Sequence, residues 1–225
     1  MATQLEPGPA EPVTRILIAD DHPVVRKGLR QLLESERDLV VCAESDSVAQ
    51  TLSLIASEQP HLVIVDLALG AESGFEVIRR LAESQPALRM LVLSMHDEML
   101  YAESVLRIGA QGYIMKHVAA RDLITAIRQV LSGKTYVSEA LSERLLTSFA
   151  RDGRKSFGLP LDRLTARERE VFEMTVRGLS VRQMAEQLGR SVKTIETHRT
   201  HVQEKLGLSS AHELMRFAVT WSRLG

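Results

Sequence analysis

The sequence has little of what marks secreted and membrane proteins. Its 225 residues include one cysteine, Cys42, so no internal disulfide can form, and the apolar neighbours of Cys42 predict a small core residue. No apolar run approaches the roughly 20 residues that a membrane-spanning helix needs. Residues 1–13 have no basic start or apolar core, so we expect an unstructured tail rather than a signal peptide. These absences predict a cytoplasmic protein.

Charge is distributed unevenly along the chain. Residues 151–225 contain 14 Lys and Arg against 9 Asp and Glu, whereas residues 1–150 contain 14 against 20. The two parts therefore have net charges of +5 and −6, although the whole chain has −1. An acidic first part suits a metal-dependent site, and a basic second part suits a polyanionic partner.

Hydrophobic periodicity predicts two kinds of fold in one chain. From Arg15 to about Gly133, short apolar runs alternate five times with helical patterns, which predicts a doubly wound, five-stranded parallel sheet. A further helix is expected over residues 138–150, followed by a linker that mixes Gly, Pro and charge. Only helical patterns come after it. The predicted parts are a tail (1–13), an α/β domain (14–133), a connector helix and linker (134–162) and an all-α four-helix domain (163–225).

Two of the predicted strands end in carboxylates. The run from Ile16 ends at Asp20 and Asp21, and the run from His61 ends at Asp66. In an open parallel sheet, ligands bind in the crevice outside the carboxyl ends of the strands. Three acids there would repel one another unless a cation lay among them, and a hard divalent ion with oxygen ligands answers that need.

The next two predicted strands end in Ser94 and Lys116. Taken alone, each of these polar residues has an ordinary explanation as a turn former or a solvated strand end. Three Asp, a Ser and a Lys at successive strand ends are instead typical of a site that accepts a phosphoryl group. Such a site uses a nucleophilic Asp, carboxylates that hold a metal, and a hydroxyl and an ammonium for the phosphoryl oxygens.

Residues 14–133 resemble the receiver domain of two-component response regulators, which has a flavodoxin-like fold. Gly74, eight residues after Asp66, also fits the family spacing. The sequence departs from the family at Gly70 and His117, where proline is usual. The resemblance implies that Asp66 is the phosphoacceptor, that Asp20, Asp21, Asp66 and the backbone carbonyl of Ala68 bind Mg2+, and that Ser94, Tyr113 and Lys116 are the switch hydroxyl, the switch aromatic and the phosphate partner.

The helices after the linker have clear start signals. Capping boxes begin at Thr165 and Ser180, Ser191 is expected to cap a third helix, and Ser209 or Ser210 a fourth. Two short helices, about 181–188 and 192–206, are joined across Gly-Arg-Ser, which predicts a helix-turn-helix. The same turn also joins many purely structural helix pairs, so geometry alone leaves both interpretations open.

The motifs in this part resemble the LuxR-type DNA-binding domain of the NarL/FixJ response regulators, over about residues 163–225. A receiver followed by this domain is the usual order in that family. The resemblance therefore implies a transcription regulator. The motifs are Leu164-Thr-Ala-Arg-Glu-Arg-Glu-Val171, Gly178-Leu-Ser180, Met184-Ala185, Leu188, Ser191-Val-Lys-Thr-Ile-Glu-Thr-His198 and Lys205-Leu-Gly207.

The period of the helix-turn-helix orients its second helix. An apolar stripe that includes His198 is expected to face the domain core, and the N-terminal half of the opposite face is expected to contact bases. An acid such as Glu196 is costly in the major groove unless it accepts a hydrogen bond from cytosine or orients a neighbouring cation, Lys193 or Arg199. The predicted base readers are Lys193, Glu196, Thr197 and Thr200, Thr194 is a further predicted DNA-binding residue, and the predicted phosphate contacts are Arg199 and Lys205.

The last predicted helix, over residues 211–224, has a broader apolar face than one small domain requires. Part of this face is expected to pack on the domain and part on a partner. Leu214, Ala218 and Trp221 are the predicted dimer contacts. A symmetric homodimer on a two-part operator of double-stranded DNA follows from this assignment.

These features together predict a transcriptional regulator that a sensor histidine kinase phosphorylates on Asp66. Phosphorylation is expected to change the receiver surface near Ser94 and Tyr113 and to release or pair the DNA-binding domains. Before phosphorylation, the acidic receiver is expected to lie against the basic domain and to hinder pairing. The alternative is a phosphorylation-independent regulator whose receiver is a dimer or ligand module. We expect no enzyme, because a phosphatase with a nucleophilic Asp would have a second Asp where Ala68 stands.

Overall fold

The structure is a computed structural model that describes residues 13–70, 72–118, 120–152, 160–208 and 210–224. Residues 1–12 of the predicted tail and residues 153–159 of the predicted linker lie outside the described residues. None of the helices in the described part of the chain is both long and apolar enough to cross a membrane.

The N-terminal part of the chain forms a five-stranded parallel sheet with helices on both faces. Its strands lie in the order β2-β1-β3-β6-β7, and β4 pairs with β5 in a separate two-stranded hairpin. This confirms the predicted doubly wound sheet. The strands are β1 (Thr14–Ala19), β2 (Leu39–Ser45), β3 (Leu62–Val65), β4 (Ala68–Leu69), β5 (Glu72–Ser73), β6 (Arg89–Ser94) and β7 (Gly112–Met115), and the helices are α1 (Pro23–Glu34), α2 (Val48–Glu58), α3 (Gly74–Ser84), α4 (Glu98–Ile108) and α5 (Ala120–Leu131).

Alternation along the central strands builds an apolar layer on each face of the sheet. Leu17 and Val63 belong to the layer that packs with α2, α3 and α4, whereas Ile16 and Leu62 belong to the layer that packs with α1 and α5. Side chains that are apolar on both faces are what a parallel sheet covered by helices requires. Each fully buried Leu, Ile or Val contributes about 1.5–3 kcal/mol, so the two layers hold the strand ends in a fixed arrangement.

The C-terminal part is helical. It contains α6 (Glu139–Asp152), a short 3-10 helix (Pro160–Arg163), α7 (Ala166–Val176), α8 (Val181–Gln187), α9 (Val192–Leu206) and α10 (Ala211–Leu224). Both capping boxes are present, at Thr165 and Ser180, and Ser191 caps α9. Ser210 caps α10, because its Oγ accepts from the backbone N–H of Glu213 at 3.1 Å. The sequence did not predict the 3-10 helix, which covers the end of the segment interpreted as linker and the first residue of the predicted four-helix domain.

The last helix connects the two parts of the protein. α10 packs on α7 and α9 and also contacts β5, so the sheet-containing part and the helical part share one buried apolar cluster. The ring of Phe217 on α10 lies 5.6 Å from the ring of Tyr101 on α4. An ion pair of 2.6 Å between Arg163 and Glu103 of α4 also joins the two parts.

Candidate functional site

The predicted acids converge at the carboxyl ends of β1 and β3. These strands are neighbours, and the backbone N–H of Asp66 donates to the carbonyl of Ala19 at 2.8 Å, which fixes Asp66 beside Asp20. Asp20 and Asp66 are buried, at 2% and 4% exposure. Asp21 is more exposed, and its Oδ2 accepts from the backbone N–H of Gly70 at 3.0 Å. The three carboxylates therefore form one pocket, with the β4–β5 hairpin at its edge.

Lys116 lies between the two buried carboxylates. Its Nζ is 2.6 Å from Oδ2 of Asp20 and 2.5 Å from Oδ2 of Asp66. Burial alone would lower the pKa of Lys116, but the hydrogen bonds with Asp20 and Asp66 outweigh it and raise this pKa. Burial raises the pKa of Asp66, and Lys116 only partly opposes that effect. A single ammonium group therefore balances the charge of two buried carboxylates, and an additional cation would stabilise the ionised form of these acids.

The donor atoms of this pocket fit a divalent cation. Ligand atoms of Asp20, Asp21, Asp66 and His22 all lie within 4.8 Å of one another. Carboxylate oxygens are the ligands that Mg2+ prefers. The contact of the positively charged Nζ of Lys116 with Asp20 shows that the pocket binds positive charge. Sequence reasoning did not include His22, although the residue directly follows Asp21. The carbonyl of Ala68, at the start of the β4–β5 hairpin, stays a predicted ligand.

Gly74 allows α3 to begin against the loop that follows Asp66. A Cβ at this position would lie 2.0 Å from the backbone oxygen of Asp66 and 2.9 Å from Cα of Leu67. The backbone N–H of Gly74 donates to the carbonyl of Leu67 at 2.9 Å, which closes the loop. Any larger residue would displace the backbone of Asp66, so the spacing noted in the sequence has a steric cause.

Ser94 and Tyr113 are connected through the backbone of His96. Oγ of the buried Ser94 accepts from the backbone N–H of His96 at 3.2 Å, and the hydroxyl of Tyr113 donates to the carbonyl of His96 at 2.7 Å. Tyr113 is fully buried, and burial raises its pKa. The ring of His96 lies 5.3 Å from the ring of Tyr101, which in turn contacts Phe217. A series of direct contacts therefore leads from Ser94 to α10.

The exposed face of α9 carries the predicted base readers. Ile195 and Val202 are buried on the opposite face, and His198 and Arg199 are half-buried at the sides. Four predicted readers, Lys193, Glu196, Thr197 and Thr200, are exposed.

Three threonines of α9 use their hydroxyls within the helix. Thr197 and Thr200 donate their hydroxyls to the carbonyls of Lys193 and Glu196 at 3.0 and 3.1 Å. Thr194 is half-buried, and its hydroxyl bonds the hydroxyl of Ser191 at 2.8 Å. Thr194 therefore supports the start of the helix.

Lys205 is held by Glu168 of α7. Its Nζ lies 2.6 Å from Oε2 of Glu168, whose side chain is only 5% exposed. Burial would raise the pKa of Glu168, but the hydrogen bonds from Lys205 and Thr165 outweigh it and lower this pKa to about 2. The pair therefore joins α7 to α9, and Lys205, which is one-third exposed, has a structural partner as well as the predicted phosphate contact.

The predicted dimer residues lie within the folded chain. Leu214 and Ala218 are fully buried in the apolar cluster that α10 shares with the receiver-like part, and Phe217 is 2% exposed. Trp221 is half-buried, and its ring stacks on Phe217 with 5.8 Å between the centroids. In this conformation the face that was predicted to pair two copies is covered by the chain itself.

The chain matches two families of known proteins. Residues 16–128 match "Response regulator receiver domain", and residues 162–218 match "Bacterial regulatory proteins, luxR family". The oxygen regulatory protein NreC of Staphylococcus aureus strain JH9 is 35% identical over 209 residues, which cover 91% of this chain and 96% of NreC.

Solved structures of RcsB share the fold of most of the chain. A structure of two RcsB dimers bound to two parallel DNAs has a TM-score of 0.75 and 27% identity, and covers 92% of this chain and 98% of RcsB. RcsB from Salmonella enterica serovar Typhimurium, bound to a promoter with the phosphomimetic BeF3−, has a TM-score of 0.76 at the same identity and coverage. The chain therefore belongs to the DNA-binding response regulators that join a receiver domain to a LuxR-type helix-turn-helix domain, and not to an enzyme family.

Proposed function

We propose that this protein is a cytoplasmic transcription regulator in which phosphorylation of Asp66 by a sensor histidine kinase frees α10 to form a homodimer on a two-part DNA operator. The pocket in which Lys116 contacts both Asp20 and Asp66 is the observation that carries the proposal. RcsB supports it, since its solved structures include dimers on DNA and a promoter complex with a phosphomimetic.

The chemical step is a transfer of a phosphoryl group to Asp66. A carboxylate oxygen of Asp66 attacks the phosphorus of a phosphohistidine, the O–P bond forms, the P–N bond breaks, and the histidine nitrogen takes up a proton. Lys116 and Ser94 bind the phosphoryl oxygens. Mg2+, held by Asp20, Asp21, Asp66 and the carbonyl of Ala68, would neutralise the charge on these oxygens.

The effect of phosphorylation on Asp66 is transmitted to the DNA-binding domain by two routes. Ser94 exchanges its hydrogen bond with the backbone of His96 for one with the phosphoryl group, and this moves the segment that also holds Tyr113 and packs on Tyr101. In parallel, the β4–β5 hairpin that follows Asp66 contacts α10 directly. Both routes end at α10, so phosphorylation weakens the contacts that hold α10 to the receiver.

Release exposes the face that pairs two DNA-binding domains. The contacts within one chain are then replaced by contacts between two copies. These contacts involve Leu214, Ala218 and Trp221. The exposed residues of α9 are already accessible, so the receiver controls pairing rather than access to the bases. The predicted domain limits, 14–133, 134–162 and 163–225, are part of this proposal.

The exposed α9 residues divide into base readers and phosphate contacts. Among the described residues, no ion pair joins Glu196 to Lys193 or Arg199. This favours the hydrogen bond from cytosine as the role of Glu196 in the complex. Arg199, at the side of the helix, is the main proposed phosphate contact, with Lys205 as a second.

The test is chemical labelling followed by DNA binding. With Mg2+ and a small phosphodonor, the protein should gain one acid-labile phosphoryl group and bind operator DNA more tightly. Asp66→Asn should gain none and should not respond to the donor. The exposed Asp97, which caps α4 outside the acidic cluster, provides a control, and Asp97→Asn should still be labelled. Equal labelling of Asp66→Asn would overturn the assignment. Labelling without any change in DNA binding would favour the phosphorylation-independent alternative.

A further inference from the structure

We infer that His22 is a nitrogen ligand of the metal site, and that it makes the site favour Mn2+ over Mg2+. This inference rests on the proposed phosphoacceptor function, because it concerns the same pocket. Nδ1 of His22 lies 2.6 Å from Oδ1 of Asp21 and 3.3 Å from Oδ1 of Asp20. The imidazole therefore lies among the carboxylates that the metal requires.

The distances match those between neighbouring ligands of one ion. Two ligands at right angles on an ion with bonds of about 2.1–2.2 Å are about 3.0 Å apart, and opposite ligands are about 4.3 Å apart. The separations of 2.6 and 3.3 Å between His22 and the two acids lie just below and just above the distance expected for ligands at right angles. The ligand atoms of all four residues lie within 4.8 Å of one another, which is close to the distance expected for opposite ligands.

The backbone holds His22 in this position. The residue precedes α1 with an extended backbone, and Pro23 begins the helix. The backbone N–H of His22 donates to Oδ1 of Asp20 at 2.9 Å, which ties the residue to the pocket. Its ring makes no capping hydrogen bond to α1. The imidazole is therefore directed to the acids rather than to the helix, and its 61% exposure leaves a path for an ion from solvent.

The nitrogen changes the chemistry of the site. Mg2+ takes oxygen ligands and keeps several waters, whereas first-row transition ions also bind imidazole. Mn2+ accepts the same octahedral, oxygen-rich shell as Mg2+ and can add the nitrogen of His22 to it. His22 therefore contributes more to the binding of Mn2+ than to the binding of Mg2+, and the ratio of the two affinities measures its contribution.

The experiment uses the full-length protein and Mn2+ as the probe. Binding is measured from the electron paramagnetic resonance signal of free Mn2+, Mg2+ binding is measured by competition, and pulsed resonance of the bound ion detects coupling to nitrogen. The wild type should show coupling to an imidazole nitrogen. His22→Ala should lose this coupling, and the ratio of Mn2+ to Mg2+ affinity should fall about tenfold.

Two further variants secure the interpretation. His22→Asn keeps a side chain that can precede a helix and offers an oxygen, so it should remain folded and also lose the nitrogen coupling. His212→Ala removes an exposed histidine from α10 and should change neither measurement.

Absence of imidazole coupling in the wild type, or an unchanged affinity ratio in His22→Ala and His22→Asn, would overturn the inference. Mg2+ binding and Asp66 labelling of the wild type test the proposed function separately. If the wild type binds Mg2+ and is labelled on Asp66 but shows no nitrogen coupling, only the inference about His22 is wrong. If the wild type binds neither ion, both proposals fail.

Discussion

The ring of Tyr101 on α4 lies 5.6 Å from the ring of Phe217 on α10, and each residue is 2% exposed. Phe217 lies on the same helix as Leu214 and Ala218, which are fully buried. Aromatic pairs of this kind contribute about 0.5–1.5 kcal/mol beyond the area that they bury, which is small enough for a ligand or a phosphoryl group to overcome. The receiver is therefore held to the DNA-binding domain by an apolar contact at the helix expected to mediate pairing.

Weakening this contact should activate the protein without phosphorylation. Tyr101→Ala removes the ring that packs on Phe217, so we expect operator affinity to rise about tenfold, which corresponds to about 1.4 kcal/mol. Fluorescence anisotropy with a two-part operator measures the change. Val130→Ala is the control, because it removes buried volume from the separate apolar layer under α5. An equal gain in Val130→Ala would mean that general destabilisation, and not the aromatic contact, opens the protein.

The DNA-binding domain alone should bind without regulation. A fragment that begins near residue 151 lacks the receiver, so its α10 face is free to pair and it should bind the operator more tightly than the unphosphorylated full-length protein. Fragment binding weaker than that of the full-length protein would show that the receiver supplies the dimer contact instead.

Trp221 should matter for pairing in that same fragment. Trp221→Ala should lower its cooperative operator binding by about 2 kcal/mol, the cost that is typical of a buried aromatic at an interface centre. Labelling of Asp66 in the full-length variant should be unaffected. His212→Ala, on the exposed start of α10, is the control. If both variants bind alike, Trp221 does not lie in the dimer contact.

Phosphate contacts and base readers of α9 should differ in specificity. Arg199→Ala should weaken binding to operator and random DNA alike and reduce the salt slope by about one unit. Thr200→Ala should weaken operator binding by about 1–3 kcal/mol with little effect on random DNA. Binding isotherms at several salt concentrations distinguish the two cases, with the distant, exposed Glu204→Gln as control. Equal losses on both DNAs in every variant would mean that the helix is oriented differently.

The link between α7 and α9 should depend on pH. The folded pKa of Glu168, about 2, lies below the ordinary value of 4.5, so its contribution to stability is present above pH 4.5 and is lost as the pH falls toward 2. Glu168→Gln should therefore lower the free energy of unfolding by about 2–3 kcal/mol at pH 7. The deficit relative to the wild type should shrink between pH 4.5 and 2. Urea unfolding followed by Trp221 fluorescence measures this, with the exposed Glu186→Gln as control. A deficit that does not change with pH would rule out the ion pair as its cause.

The sequence by itself determined the features that depend on local pattern. Apolar alternation placed Asp20, Asp66, Ser94 and Lys116 at strand ends, and parallel strands bring such ends to one edge. The capping boxes at Thr165 and Ser180 and the turn before Ser191 also come from neighbouring residues, because a cap is a contact across three residues. The five-stranded sheet and the helix-turn-helix were predicted for these reasons.

Other features depend on contacts between residues that are far apart in the chain. The β4–β5 hairpin and the 3-10 helix are too short to show a period. Asp66 joins Asp20, Asp21 and His22 only because two distant chain segments lie side by side in the sheet. Lys205 meets Glu168 across 37 residues.

The covering of Leu214 and Ala218 also required the tertiary structure. An amphipathic helix specifies that its apolar face will be buried, but the hydrophobic effect has no direction, so the sequence predicts burial without naming the surface that provides it. In this conformation α10 packs on α7 and α9, and Phe217 lies against both Phe172 of α7 and Tyr101 of the receiver, so only the tertiary structure shows that both parts of the chain provide that surface.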